Sequence, residues 1–86
     1  MEIIFSKAFR KSLAKLSERD FSAVESAVAG YRIDRRDPSL RDHALKGKMK
    51  GLRAFSAGFD LRIIYKEEDG FIVVTLLDVG THNQVY

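Results

Sequence analysis

Two histidines and a local excess of positive charge are the residues of this 86-residue chain best suited to chemistry on a phosphate. His43 and His82 are its only imidazoles, and imidazole is the side chain that exchanges protons most readily near neutral pH. Lysine and arginine total 15 against 12 acidic residues, for a net charge of +3. Between residues 41 and 53, five cations accompany a single acid. Such segregation is typical of a surface that faces a polyanion, and a solvated basic face is the alternative.

Three of these cations are spaced to act together. Lys46, Lys48 and Lys50 occupy alternate positions in a polar stretch, residues 37–50, that we interpret as an ordered loop. If the loop is locally extended, all three side chains point the same way. Lysine is a compact, hydrated charge that suits attraction of a phosphate backbone more than recognition of bases.

The composition excludes several classes of protein. There is no cysteine, so a disulfide framework, a thiolate metal site and a cysteine nucleophile are excluded. Two histidines are too few for an all-histidine zinc site, although a mixed site with carboxylates stays open. The longest apolar run, residues 71–77, is far shorter than the roughly 20 residues that cross a bilayer. The first residues lack the pattern of a signal peptide. We therefore expect one domain over residues 1–86, cytoplasmic and without membrane association.

The elements that must position these side chains follow from hydrophobic spacing. Residues 2–5 are predicted to form a strand, and Ser6 and Ser17 are predicted N-caps of two amphipathic helices, the second ending near Ile33. From Leu52 onward the period changes to two, which predicts three strands. The order β-α-α-β-β-β predicts an α+β fold, with two N-terminal helices packed on a small, mostly antiparallel twisted sheet.

The strand register predicts where two arginines lie. A hairpin with a two-residue turn at residues 58–59 places Phe55 opposite Arg62, and Arg53 diagonally from Arg62 on the same face. The two guanidinium groups are then about 7–8 Å apart, within reach of one phosphate. The opposite face becomes an apolar core that contains Leu52, Ala54, Leu61, Ile63 and Tyr65. The alternative is that each arginine pairs with a nearby acid, such as Asp60 or Asp78.

Three stretches of the chain resemble the RelE/ParE superfamily of bacterial toxins. They are D-H-A-L-K-G-K-M-K-G-L-R (residues 42–53), F-D-L-R-I-I-Y-K (residues 59–66) and L-D-V-G-T-H-N-Q-V-Y (residues 77–86). The D-H-x-L-x-G-x-x-K-G and G-T-H elements are most similar to the YafQ-type branch. The resemblance covers residues 42–86, and the N-terminal half agrees in length and element order.

This resemblance implies a RelE-like fold and the toxin of a bacterial type II toxin–antitoxin system. It implies an mRNA endonuclease (an mRNA interferase) that inhibits translation by cutting messages on the ribosome, without a metal or another cofactor. The RNA 2′-hydroxyl attacks the adjacent phosphate and leaves a 2′,3′-cyclic phosphate. Side-chain acids, bases and cations can carry such a reaction. The implied partners are a cognate protein antitoxin and ribosome-bound mRNA.

The same resemblance implies roles for individual residues. His82 matches the histidine of G-T-H, a general acid or base, and His43 matches the site histidine of D-H-x-L. Arg62 aligns with the hairpin arginine that meets the scissile phosphate. Tyr86 matches a C-terminal aromatic residue that closes the site and stacks on a base. Asp60 matches the aspartate of the E-P-D-W element. Arg53 matches a basic residue of the preceding strand, which we expect to bind RNA together with Lys46, Lys48 and Lys50.

Three positions depart from the YafQ-type pattern. Ser56, Leu61 and Asp78 stand where histidine, tryptophan and arginine are usual. These departures keep two alternatives open: a ParE-like inhibitor of DNA gyrase, or a catalytically weakened homologue that only binds RNA or its antitoxin.

Overall fold

Serine side chains begin both N-terminal helices. In the computed structural model, which describes residues 1–86, strand β1 (Glu2–Phe5) is followed by helix α1 (Lys7–Ala14) and helix α2 (Glu18–Ile33). The Ser6 hydroxyl accepts the N–H of Phe9, and the Ser17 hydroxyl accepts the N–H of Asp20. Each bond satisfies an amide that the first helical turn leaves free. Both predicted N-caps are confirmed.

The remaining strands complete one mixed sheet. They are β2 (His43–Ala44), β3 (Arg53–Ala57), β4 (Leu61–Glu68) and β5 (Val73–Thr81), and a one-turn helix, α3 (His82–Val85), follows. The strand order is β1-β5-β4-β3-β2, with β1 parallel to β5 and every other pair antiparallel. The predicted α+β class and mostly antiparallel sheet are confirmed. No helix is long and apolar enough to span a membrane.

Three segments differ from the predicted elements, and one of them is α3, a helix that the predicted order does not contain. The predicted loop at residues 37–50 contains β2 and two short 3-10 turns, Pro38–Leu40 and Gly47–Met49. The last strand was expected at residues 71–77, but it begins at Val73 and extends to Thr81. The added residues bring the end of β5 beside β4, where Leu61 pairs with Thr81.

An aromatic cluster forms the centre of the core between α2 and the sheet. The ring of Tyr31 stacks on that of Phe55 with 4.6 Å between centroids, and Tyr65 meets both rings edge-on. All three side chains are fully buried. Aromatic pairs of this geometry add about 0.5–1.5 kcal/mol each beyond the burial of their area.

The predicted register of the β3–β4 hairpin is wrong by one residue. Ala57 pairs with Leu61 across a three-residue turn, so Phe55 lies opposite Ile63. Arg62 lies opposite Ser56, and Arg53 lies opposite Tyr65. Because neighbouring positions on a strand face opposite ways, Arg53 and Arg62 lie on opposite faces of the sheet.

Burial of Phe55 explains this register. The two-residue turn would have placed Ala54 in the core and Phe55 on the outer face, but Phe55 belongs to the main core cluster and Ala54 does not. Full burial of a phenylalanine side chain contributes about 1.5–3 kcal/mol, far more than that of an alanine. Gly58, at φ +59° in the turn, adopts the left-handed conformation that glycine favours.

Helix α3 packs closely on Gly80. A β-carbon at this position would lie 2.9 Å from Gln84 Oε1 and 3.1 Å from Val85 Cγ1. The Gln84 oxygen cannot move freely, because it accepts the N–H of Thr81 at 2.8 Å and thereby caps the helix. The absence of a side chain at Gly80 therefore lets α3 fold back onto the sheet.

We expect Phe55→Ala to lower the free energy of unfolding by about 3–5 kcal/mol, because it leaves a cavity beside Tyr31 and Tyr65. Phe59→Ala is the matched control, since Phe59 is 99% exposed in the turn, and it should change stability by less than about 0.5 kcal/mol. Urea denaturation measures both. Equal midpoints for the two variants would contradict the observed register.

We expect Gly80→Ala to displace α3 while the sheet remains folded, because the added methyl group overlaps Gln84 and Val85. The NMR signals of the His82 and Tyr86 rings should shift toward those of unstructured peptides. Gly30→Ala is the control: it lies in α2 with no atom within 4 Å of the added carbon, and it should leave both rings unchanged. Unshifted rings in Gly80→Ala would show that α3 tolerates the methyl group.

Candidate functional site

A groove on the sheet face opposite α2 brings together residues from distant parts of the chain. His82 and Tyr86 reach it from α3 and the residue after it. The other side comes from the loop between β2 and β3, through Leu45, Lys46, Lys48 and Met49. The volume of the groove is about 370 Å³. We call this the His82 groove.

The capped turn of α3 fixes the two rings of the groove. Thr81 and Gln84 form a reciprocal capping box, and the N–H of Tyr86 donates to the carbonyl of His82 at 3.0 Å. The rings of His82 and Tyr86 meet edge to face, with centroids 4.5 Å apart. Both residues are exposed, and Tyr86 keeps 43% of its surface accessible. An imidazole and a phenol are thus presented to solvent side by side.

Arg62 faces the same side of the sheet as the groove. Arg62 pairs with Ser56 on β3 and with Gly80 on β5. Because α3 packs on Gly80, the turn of α3 lies next to Arg62. Its guanidinium donates to the Leu61 carbonyl at 3.0 Å and has no carboxylate partner. Burial raises the pKa of Tyr86, and the positive charge of Arg62 offsets this only in part. The phenol therefore keeps its proton near neutral pH.

The lysines of the loop do not all point into the groove. Lys46 and Lys48 line it, but Lys50 does not. The expectation that three alternate lysines share one direction is wrong, because Gly47–Met49 forms a 3-10 turn instead of an extended segment. Lys50 ends that turn and donates its N–H to the carbonyl of Gly47.

His43 lies on the same face as Arg62 but two strands away. It pairs with Ala54 on β3, whereas Arg62 pairs with Ser56. From strand spacing and rise, the Cα atoms of His43 and Arg62 are about 12 Å apart. The His43 Nδ1 lies 2.9 Å from the Arg41 carbonyl. Because a carbonyl only accepts, Nδ1 is the donor of this bond, and in a neutral imidazole Nε2 is then the acceptor.

Arg53 does not lie in the groove. Its guanidinium pairs with the Asp42 carboxylate at 3.3 Å and donates to the Tyr65 hydroxyl at 3.2 Å. The Tyr65 hydroxyl in turn donates to Asp42 at 2.6 Å. Burial and the neighbouring carboxylate raise the pKa of Tyr65, so this hydroxyl stays protonated. The expectation that Arg53 and Arg62 grip one phosphate is wrong, because the register directs Arg53 toward the helix side of the sheet.

Asp60 and Asp78 also lie outside the groove. Asp60 is exposed in the β3–β4 turn and lines a different cavity, with Arg19 and Ala23 of α2. The Asp78 carboxylate accepts the hydroxyl of Ser12 at 2.6 Å and the N–H of Val79 at 2.8 Å. Neither acid pairs with an arginine of the hairpin. The alternative that each arginine pairs with a nearby acid therefore holds only for Arg53, whose partner is Asp42.

Two residues that the sequence did not single out, Leu45 and Met49, form apolar walls of the groove. Ser56, where the resemblance expected a site histidine, is buried opposite Arg62. Leu61, where the resemblance expected a site tryptophan, is instead buried in the core. No group of three or more His, Cys, Asp or Glu side chains is arranged to hold a metal ion.

Comparison with solved structures shows which folds this arrangement matches. The crystal structure of YafQ from E. coli superimposes with a TM-score of 0.79 at 22% identity, covering 99% of this chain and 97% of that one. The crystal structure of a metal-bound toxin from Helicobacter pylori gives 0.77 at 27% identity, with 100% and 99% covered. The E. coli DinJ–YafQ toxin–antitoxin complex gives 0.76 at 23% identity, with 99% and 96% covered.

Comparison with protein families is decisive. Comparison with curated proteins gives no match. The family model described as the YafQ bacterial toxin of type II toxin–antitoxin systems matches residues 1–86, the whole of the chain. The chain therefore belongs to the YafQ family of toxins of bacterial type II toxin–antitoxin systems.

Proposed function

We propose that this toxin acts as an endoribonuclease that cuts mRNA on the ribosome, with the His82 groove as its active site. The observation that carries the proposal is the convergence of His82, Tyr86 and two lysines in one open groove, with Arg62 unpaired on the same face. A proton carrier and uncompensated cations can promote the transesterification of RNA, and an aromatic ring can stack on one of its bases.

The reaction begins with the ribose 2′-hydroxyl as nucleophile. The 2′-oxygen attacks the adjacent phosphorus, the O2′–P bond forms and the P–O5′ bond breaks. The products are a 2′,3′-cyclic phosphate and a 5′-hydroxyl end. His43 suits removal of the 2′ proton, because its Nε2 is the free acceptor while Nδ1 is held by the Arg41 carbonyl. His82 then supplies the proton to the departing 5′-oxygen.

Arg62 stabilises the charge that develops on the phosphate oxygens. Its guanidinium is spared from any ion pair, so its charge is available to an incoming anion. The planar group can donate two parallel N–H bonds to one phosphate. Lys46 and Lys48 attract the flanking backbone.

The replacement of an expected arginine by Asp78 does not oppose this charge distribution. Its carboxylate is bonded to Ser12 and to the amide of Val79. It lines a cavity between Lys15 and Leu16 beside α1 and Gln84 and Val85 of α3, and it is not among the residues that line the His82 groove. The acid therefore does not project into the space where the transition-state phosphate would lie.

The proposal includes a cognate antitoxin as protein partner. Membership of a toxin–antitoxin family supports it, and a similar fold has been solved as the E. coli DinJ–YafQ complex. Helix α1 exposes Lys7, Arg10, Lys11 and Lys15, which favours an acidic segment on the partner. Phe59 is fully exposed and available for contact with a partner, whereas Phe55 is buried.

We expect His82→Ala to slow cleavage by about 10²–10⁴-fold, because the leaving oxygen loses its proton donor. Arg62→Ala should slow it by about 10²–10³-fold through loss of charge stabilisation. Primer extension on a reporter message during in-vitro translation measures both rates.

Arg19→Ala is the matched control, since Arg19 is an arginine of α2 with a side chain that is 87% exposed. It should cleave at the wild-type rate. A wild-type protein that leaves every message intact would contradict the proposed activity. RNA binding without cleavage would assign the chain to the weakened homologues, and inhibition of DNA supercoiling would assign it to the gyrase inhibitors.

We expect Tyr86→Phe and Tyr86→Ala to separate stacking from proton transfer. Tyr86→Ala should lower kcat/KM by about 5–150-fold, the value of one base–aromatic stack of about 1–3 kcal/mol. Tyr86→Phe should stay within about threefold of the wild type, because the ring and its contact with His82 are retained. A Phe variant as slow as the Ala variant would show that the phenol proton takes part in the reaction.

A further inference from the structure

A cluster of arginines lies beyond the edge strand β2, apart from the His82 groove. Arg35, Arg36, Arg41 and Arg53 line a cavity of about 320 Å³, together with Asp37, Pro38 and Asp42. We call this the arginine pocket. Apart from the proline ring, every lining side chain is charged.

The two acids of the pocket pair with only one of its four arginines. Asp37 accepts the backbone N–H and the hydroxyl of Ser39, both at 2.9 Å, and so caps the Pro38–Leu40 turn. These bonds lower the pKa of Asp37. Asp42 is already bonded to Arg53 and Tyr65. Arg35, Arg36 and Arg41 are therefore left without a carboxylate partner.

Two of the guanidinium groups are held in place by one aromatic ring. The guanidinium carbon of Arg35 lies 3.6 Å from the ring centroid of Phe71, and that of Arg53 lies 5.6 Å from it. Phe71 has φ +70°, a left-handed conformation that costs a residue with a side chain about 1–3 kcal/mol. The ring keeps this position although its backbone is strained, and it fixes the two cations before any ligand arrives.

We propose that the arginine pocket binds the phosphodiester backbone of RNA at a point outside the groove where cleavage is proposed. Planar guanidinium groups match phosphate oxygens through paired hydrogen bonds. Mutual repulsion between unpaired cations around one cavity is relieved when an anion enters it. An amphipathic peptide fits less well, because the lining side chains are all charged apart from Pro38.

The edge of the sheet connects the two sites. Asp42 lines the arginine pocket, and the next residue, His43, begins β2 on the face of the His82 groove. An RNA strand that leaves the groove over this edge therefore meets the arginines on the other side. The pocket acts as a second anchor for RNA longer than the groove can hold, and in this respect the inference rests on the proposed function.

The test compares two RNAs of 2′-O-methyl nucleotides, which lack the attacking hydroxyl: one of about 20 nucleotides and a tetramer. Arg36→Gln/Arg41→Gln removes two exposed arginines of the pocket and leaves Arg35 and Arg53 in place. Its binding to the longer RNA should weaken about tenfold, and the slope of log K against log salt should fall by about 1.4, or about 0.7 for each lost phosphate contact. Binding of the tetramer should change by less than about twofold.

Arg10→Gln/Arg32→Gln is the matched control, because it removes two exposed arginines elsewhere on the surface. An equal loss in this control, or an equal loss with the tetramer, overturns the proposal. It is also overturned if a hexaglutamate peptide binds the wild type more tightly than the longer RNA, which would assign the pocket to a protein partner. Circular dichroism establishes that both double variants are folded.

The same experiment separates this inference from the proposed activity. If the wild type cleaves no message but its binding of the longer RNA still depends on Arg36 and Arg41, the proposed function fails and the arginine pocket stands. If the wild type cleaves messages but its RNA binding does not depend on Arg36 and Arg41, the proposed function stands and the inference about the arginine pocket fails.

Discussion

Phe55 stacks on Tyr31 and meets the edge of Tyr65 in the space between α2 and the sheet. This contact decides which positions of β3 and β4 face the helix, because the residues of a strand alternate between its two faces. Once Phe55 is buried, Arg62 must point to the opposite side, next to Gly80. The orientation of the one unpaired cation of the hairpin is thus a consequence of aromatic packing on the other face.

The same constraint divides the charges of the molecule into two groups. On the helix face, Arg53 is held by Asp42 and Tyr65, with its side chain 27% exposed and that of Asp42 only 7%. Removal of either charge would leave the other poorly solvated, at a cost of several kcal/mol. On the open face, Arg62 has only a backbone carbonyl as partner. Of the two hairpin arginines, the paired Arg53 therefore suits a structural role and the unpaired Arg62 a binding role.

Local signals in the sequence were sufficient for α1, α2 and four of the five strands, but not for β2, for α3 or for the register of the hairpin. Ser6 and Ser17 are recognisable as caps because an N-cap acts over three residues. The register of β3 and β4 depends on whether the turn has two or three residues, and both choices place an apolar set on one face. Only the comparison of the volumes of Ala54 and Phe55 favours the true register, and periodicity treats these two residues alike.

The candidate site was predictable where it depends on short motifs. His82 and Tyr86 are brought together by one helical turn, and their placement near Lys46 and Lys48 agrees with the proximity expected of a shared site. The positions of Arg53, Asp60 and Lys50 were not predictable, because they depend on the hairpin register, on the turn length and on a 3-10 turn in a stretch without periodicity. The ion pair between Asp42 and Arg53 joins residues from different segments of the chain, and their spacing in the sequence does not predict it.

The order of the strands also has a consequence for how the molecule is assembled. β5 lies between β1 and β4, so a central strand of the sheet is nearly the last segment of the chain to be made. The hydrogen bonds between Glu2–Phe5 and Val73–Thr81 link residues about 70 positions apart, and such non-local pairing slows folding. During translation, neither the sheet nor the turn that carries His82 can be completed until nearly the whole polypeptide has emerged. The His82 groove therefore cannot form before β5 and α3 have been synthesised.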